Sequence, residues 1–332
     1  MRFYSKYLSL LLAGLIFSAC EKKQEPVLEQ ENAPEREIVV PVFSADSAYS
    51  FIQQQVNFGP RVPNTSAHLA TADFLAAKLA SYGAEVERQA FEAEAYDGTL
   101  LQLQNIIASF NPQQGKRILL AAHWDTRPFA DKDDERKEAA IEGANDGGSG
   151  VGVLLEMARL MQQQAPGVGV DIILFDGEDY GEPQGYEGVA ENDNQVWWCL
   201  GSQYWSKNKH KKNYMAYYGI LLDMVGAEGA QFYQEGVSRR AAPAVLKKVW
   251  DQAQRLGHGR YFNYESSPEV IDDHIYVNYD ARIPMIDIIE HAPGSEAYFA
   301  DYHHTHADNM DIISKETLQA VGETVMHVIY RE

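Results

Sequence analysis

GSGVGVLLEMARLMQQQ (148–164) followed by VDIILFDGEDYGE (170–182) is the stretch that decides the fold. The first segment carries apolar residues at helical spacing, and the second begins as an unbroken apolar run. A helix leading into a strand that is apolar on both sides is the repeating unit of a parallel sheet covered on both faces. The strand then runs into Asp176, Glu178, Asp179 and Glu182 within seven residues. Carboxylates so crowded raise one another's pKa values, so they belong either on a solvated loop or around a cation.

The same grammar extends in both directions. NIIASF (105–110), RILLAAHWD (117–125), YGILLDMVG (218–226) and IPMIDIIE (283–290) read as buried strands. Helices are predicted at 44–56, opened by the capping residues Ser44 and Asp46, and at 66–83, closed by Gly83. Two more are predicted at 241–257 and 314–330. FGPRVPNT (58–65) is a turn, and NPQQGK (111–116) between two strand-like runs predicts a hairpin or edge pair. The expected fold is therefore α/β, with a mixed, mostly parallel central sheet and helices on both faces. Binding sites in such sheets form beyond the carboxyl ends of the strands.

The chain has 332 residues, 45% of them apolar, enough for one large core. Its net charge of −20 argues against nucleic acid as a partner, because phosphate binding needs a basic face. Residues 1–19, with Arg2, Lys6 and the apolar run Leu8–Phe17, read as a secretory signal too short to span a bilayer. The Ser18-Ala19-Cys20 ending resembles the lipobox of bacterial lipoproteins, although Phe17 stands where leucine is usual. That resemblance implies acylation of Cys20 and a lipid-anchored location in the bacterial cell envelope; the alternative is an ordinary signal peptide with a fortuitous cysteine. Residues 20–41 are charged and proline-bearing, as suits a tether, which leaves 42–332 as a single catalytic domain. Cys199 is then the remaining thiol, so no internal disulfide is expected.

Polar residues recur where the apolar runs end: His123 and Asp125, Asp146, Glu178 and Asp179, Asp223, and His304. Each alone reads as a cap or turn former. Together they offer imidazole nitrogen and carboxylate oxygen, the donors that zinc takes, whereas magnesium or calcium prefers an all-oxygen set. The glycine-rich EGANDGGSGVG (142–152) has neither G-x-G-x-x-G nor the Walker lysine, and Asp146 would repel phosphate at its mouth. Its glycines fit a close approach of Asp146 to a metal and of the helix to the sheet. On spacing alone, His304 and His306 share one face of an extended segment, and either could ligate.

AAHWDTRP (121–128), GANDGGSGVGVLLEMAR (143–159), ILFDGEDYG (173–181), LLDMVGA (221–227) and HHTHADN (303–309) occur in the order found in the zinc aminopeptidase-like superfamily. The resemblance covers the chain from about Phe58 to its end. Within that superfamily the sequence is similar to the glutaminyl cyclases, through GRYFNYESSPEVIDDHIYV (259–277) and HHTHADN. The resemblance implies one zinc per chain, held by Asp146, Asp179 and His304. It implies Glu178 as the general acid/base, with Asp223 and Asp272 as carboxylates hydrogen-bonding with it around the substrate. Three positions depart from the animal enzymes: Asp179 stands where glutamate is usual, His303 where tryptophan is, and Asp287 where histidine is. His303, Asp287 and Trp197 are accordingly the candidate substrate-binding residues, although the adjacent pair Trp197 and Trp198 could equally be core. His274 is either a hydrogen-bond partner or a substrate contact; His68, His210, His258, His291 and His327 read as structural or surface residues.

The implied activity is conversion of amino-terminal glutamine of a peptide or protein to pyroglutamate with release of ammonia, by a monomer. Two alternatives stay open. In a two-zinc aminopeptidase, His123 and Asp223 would hold a second metal with Asp146 bridging. A non-catalytic peptide-binding lipoprotein would keep the fold alone.

Overall fold

The first five strands in chain order are β1 (Glu85–Glu94), β2 (Leu100–Phe110), β3 (Arg117–His123), β4 (Gly169–Phe175) and β5 (Tyr218–Asp223). The short pair β6 (Phe232–Gln234) and β7 (Phe262–Ser266) follows, then β8 (Met285–Ile289). The helices are α1 (Ala45–Val56), α2 (Ser66–Ser81), α3 (Gly148–Gln163), α4 (Leu200–Lys207), α5 (Gly236–Ala241), α6 (Pro243–Arg255), α7 (His274–Tyr279) and α8 (Lys315–Tyr330). This computed structural model describes residues 38–187, 196–295 and 298–332. The predicted signal peptide, Cys20 and all but the last residues of the predicted tether lie outside the described residues. Among the described residues, no helix is long and apolar enough to cross a membrane.

The main sheet has the order β1-β2-β4-β3-β5-β8. Strands β4, β3, β5 and β8 are parallel, while β1 with β2 and β2 with β4 run antiparallel. The expected mixed, mostly parallel α/β sheet is what forms. The expected hairpin between NIIASF and RILLAA does not: β4 lies between β2 and β3 and pairs with both. Both runs are fully buried strands, and such strands need covered neighbours more than they need a short connection.

Successive side chains on a strand point to opposite faces, and here each face meets its own core. On β3, Ile118, Leu120 and Ala122 pack under α1, α2, α3, α6 and α8. Leu119 and Ala121 point the other way, with Trp205 of α4 and Val277 of α7. Caps set where three helices begin: Ser44, Thr65 and Ser314 each accept a backbone N–H with the side chain. α3 lies close on β5, because a Cβ at Gly150 would collide with the Leu222 carbonyl. The parallel strands end side by side, with His123 opposite Phe175 and Asp223 opposite Ile289 in register. One edge of the sheet therefore collects the polar residues that follow.

Candidate active site

Two buried carboxylates shape the loops at that edge. Asp125 accepts the backbone N–H groups of Glu178 on one oxygen and of Asp179 on the other, both at 3.1 Å. Asp308 does the same for Asn145 and Asp146, at 2.7 and 3.0 Å. Arg61, buried beneath, donates to the carbonyls of Trp124, Glu142 and Gly143 and locks the second loop to the end of β3. Gly147 turns the chain into α3 with φ 77°, where a Cβ would strike the Asp125 carbonyl. His304, Met224 and Cys199 are non-glycine residues in the same left-handed region, each at an expected cost of about 1–3 kcal/mol. Such strain gathers where side chains must be aimed.

Asp146, Asp179 and His304 converge as a result. His304 Nε2 lies 3.2 Å from Asp179 Oδ1 and 3.7 Å from Asp146 Oδ2. Both oxygens of Asp179 are buried without a hydrogen-bond partner. Burial, then the facing Asp146 charge, pushes the Asp179 carboxyl well up. Burial, then Arg127, holds His304 well below the usual imidazole range, so it presents a neutral nitrogen. Orphaned carboxylate oxygens beside a neutral imidazole fit a cation, and three N/O ligands with an open fourth position fit catalytic zinc. His303 Nε2 is also 3.7 Å from Asp146, but its Nδ1 sits 2.6 Å from Lys132 Nζ. His306 pairs with Asp133 at 2.7 Å and leaves the site.

A cavity of about 390 Å³ opens over this edge, lined by Asp146, Glu178, Asp223, Asp272 and His304. Trp198 and Phe299 supply aromatic wall, and Trp198 stacks on His304 with centroids 6.0 Å apart. Glu178 is raised well above the ordinary carboxyl range by burial; His123 opposes that, and the charges of Asp272, Asp179 and Asp273 add to it. His123 Nε2 bridges Asp146 Oδ1 at 3.0 Å and Asp223 Oδ1 at 3.1 Å. The arrangement puts a carboxylate of raised proton affinity in one cavity with Asp146 and His304 of the metal-fitting trio.

Residues 105–329 match the model of peptidase family M28.

The chain belongs to that family.

Among solved M28-like structures, a Bacteroides thetaiotaomicron glutaminyl cyclase bound to N-acetylhistamine is 53% identical, with a TM-score of 0.85 over 89% of this chain and 100% of that one. A Tannerella forsythia glutaminyl cyclase is 49% identical, again with a TM-score of 0.85, over 88% of this chain and 100% of that one. The aminopeptidase YwaD of Bacillus subtilis is 26% identical over 235 residues; the match covers 68% of this chain and 44% of the length of YwaD.

In this M28 chain, Asp146, Asp179, His304, Glu178, Asp223, Asp272 and His303 meet at one cavity or its edge. Three expectations need correction. Trp197 is buried against Tyr186, and its neighbour Trp198 lines the cavity instead. Asp287 is fully buried behind Asp272, beside His274 Nδ1 at 3.8 Å, so it forms no cavity wall. Glu178 accepts a hydrogen bond from the Cys199 thiol and not from the expected pair, for Asp223 is bonded to His123 and Asp272 accepts the backbone N–H of Asp273. His274 joins the buried Glu235 at 3.2 Å, which rules it out as a substrate contact. Sequence reasoning missed Asp308 and Arg127 as site residues, and weighed Trp198 only as one of the adjacent pair that could supply an aromatic wall or be core. The first two lie inside the quoted motifs HHTHADN and AAHWDTRP, so the signal was present but had no chemistry of its own.

Proposed function

We propose that this chain is a glutaminyl-peptide cyclotransferase that cyclises amino-terminal glutamine and carries one zinc held by Asp146, Asp179 and His304. The observation that carries the reading is Glu178, raised beside Asp272 in the cavity that Asp146 and His304 also line, in a fold shared with cyclases at about half identity. Bound zinc would supply Lewis-acid polarisation of the γ-carboxamide oxygen. The nucleophile is the substrate's own α-amine, and closing a five-membered ring supplies proximity, where well-oriented intramolecular reactions gain roughly 7–11 kcal/mol. As the amine nitrogen bonds to the carbonyl carbon of the γ-carboxamide, Glu178 takes its proton. Glu178 then gives that proton to the departing amide nitrogen as the old C–N bond breaks, and ammonia leaves. Asp272 keeps Glu178 basic enough for the first transfer by holding negative charge beside it. Trp198 and Phe299 shield the reacting atoms from water.

The His123–Asp146–Asp223 cluster and the likeness to YwaD favour a second reading, a two-zinc aminopeptidase. Against it, the cyclase structures match this chain at about half identity over their whole length, YwaD at 26% over 44% of its own. The test is ammonia release from a glutamine-initiated dipeptide with zinc counted on the same sample. One zinc with ammonia is expected; two zincs with free amino acids would overturn the proposal. The same reading includes a monomer anchored to the cell envelope through acylated Cys20, tested by palmitate labelling, where a soluble, unlabelled product would refute the anchor.

A further inference from the structure

The proposed reaction leaves one buried group in contact with Glu178 without a task, the thiol of Cys199. Its Sγ donates to Glu178 Oε1 at 3.1 Å. The backbone doubles the link: Cys199 N–H donates to the Glu178 carbonyl and Leu200 N–H to the Gly177 carbonyl, both at 3.0 Å. Cys199 holds a left-handed φ of 59° just ahead of α4, and that conformation aims its side chain back at residue 178. The thiol is fully buried, and burial, then the charge of Glu178, pushes its pKa well up, so it keeps its proton and acts as a donor. Glu178, Cys199 and Asp272 bring their polar atoms within 4.8 Å of one another, and Asp272 Oδ2 is buried with no hydrogen-bond partner. Charge repulsion from Asp272 would swing Glu178 away. The thiol is the side-chain donor that holds it.

We infer that Cys199 is a positioning residue for the proposed cyclisation: its S–H fixes Oε1 of Glu178 and leaves Oε2 as the oxygen that carries the transferred proton. The inference rests on the cyclase reading only for its catalytic consequence; the hydrogen bond itself can be tested without activity. Oriented groups lose on the order of 10²-fold in rate per ångström of misplacement. Cys199→Ala should therefore lower kcat about tenfold or more, with KM changed less than about twofold and zinc content unchanged. Cys199→Ser, which restores a donor, should recover most of that loss. Independently of turnover, the infrared S–H stretching band that disappears in Cys199→Ala should shift when Glu178→Gln replaces the charged acceptor by a neutral one. Wild-type kcat in Cys199→Ala, loss of zinc in that variant, no recovery in Cys199→Ser, or an S–H band that ignores Glu178→Gln would each overturn the inference. Absence of ammonia release from the wild type would instead overturn the cyclase reading, while the infrared band would still report on the contact.

Discussion

Replacing Asp125 by asparagine changes no volume and removes one acceptor. The carboxylate uses both oxygens, one for the N–H of Glu178 and one for the N–H of Asp179. An asparagine offers a single oxygen, and its amide would point N–H against N–H at the other position. The Asp179 N–H is the more deeply buried, so the oxygen should stay there and the Glu178 N–H should lose its partner. An unsatisfied group of this kind costs about 1–3 kcal/mol. At roughly 2–4 °C per kcal/mol, Tm should fall by roughly 2–12 °C. The freed turn would also carry Glu178 with it, and a shift of ~1 Å costs on the order of 10²-fold in kcat. Thermal unfolding at fixed zinc and ammonia release from a glutamine dipeptide measure the two effects. If Asp125→Asn melts with the wild type and keeps its kcat, the clamp has no role and the argument for how the loop is aimed fails.

Four further outcomes follow from the same contacts. Glu178→Gln should keep its zinc and lose about 10²–10⁴-fold in kcat; a variant that releases the metal would mean Glu178 is a ligand. Trp198→Ala should raise KM for peptides, whereas Trp197→Ala should lower Tm and leave KM alone; steady-state kinetics and melting curves on both variants would expose a reversed pattern. Zinc at 100 times its Kd should raise stability by about 2.7 kcal/mol through binding to the folded state, read as a higher urea midpoint, and no shift would refute the trio as its site. Burial alone would raise the Glu235 carboxyl, but hydrogen bonds from His274 and from the N–H groups of Ser238 and Val237 hold it at about 2 against an ordinary 4.5. Because the folded value is the lower one, its contribution, up to about 3 kcal/mol, is complete above pH 4.5 and lost as pH falls toward 2. Glu235→Gln should flatten that acid limb of the stability curve, and an unchanged slope would discount the contact.

The buried strands and long helices were legible because an apolar run or a 3.6-residue period needs no partner to be recognised. β1 was not, since EVERQAFEAE buries only Phe91 and spends its alternation on charged residues facing water at the sheet edge. Strand order was also hidden: RILLAA and DIILF pair across a helix of intervening sequence, and no residue pattern records which buried strand lies next to which. At the site, the residues proposed to meet substrate or metal announce themselves by type. Cys199 and Trp198 do not, because their part depends on a left-handed turn that brings residues 198–199 back over Glu178. Asp287 shows the opposite error: a position beside the site in sequence pattern, yet turned inward to a buried cluster.

Asp125 and Asp308 accept main-chain amides of residues 178, 179, 145 and 146, and this separates the shape of the two loops from the identity of the side chains they carry. Any residue with a backbone N–H at 146, 178 or 179 keeps the same main-chain path. A scaffold built in this way can exchange one reaction for another through single substitutions without refolding its loops. The clamps are made of the chain's own hydrogen bonds, so in the proposed reading zinc would meet loops already shaped for it.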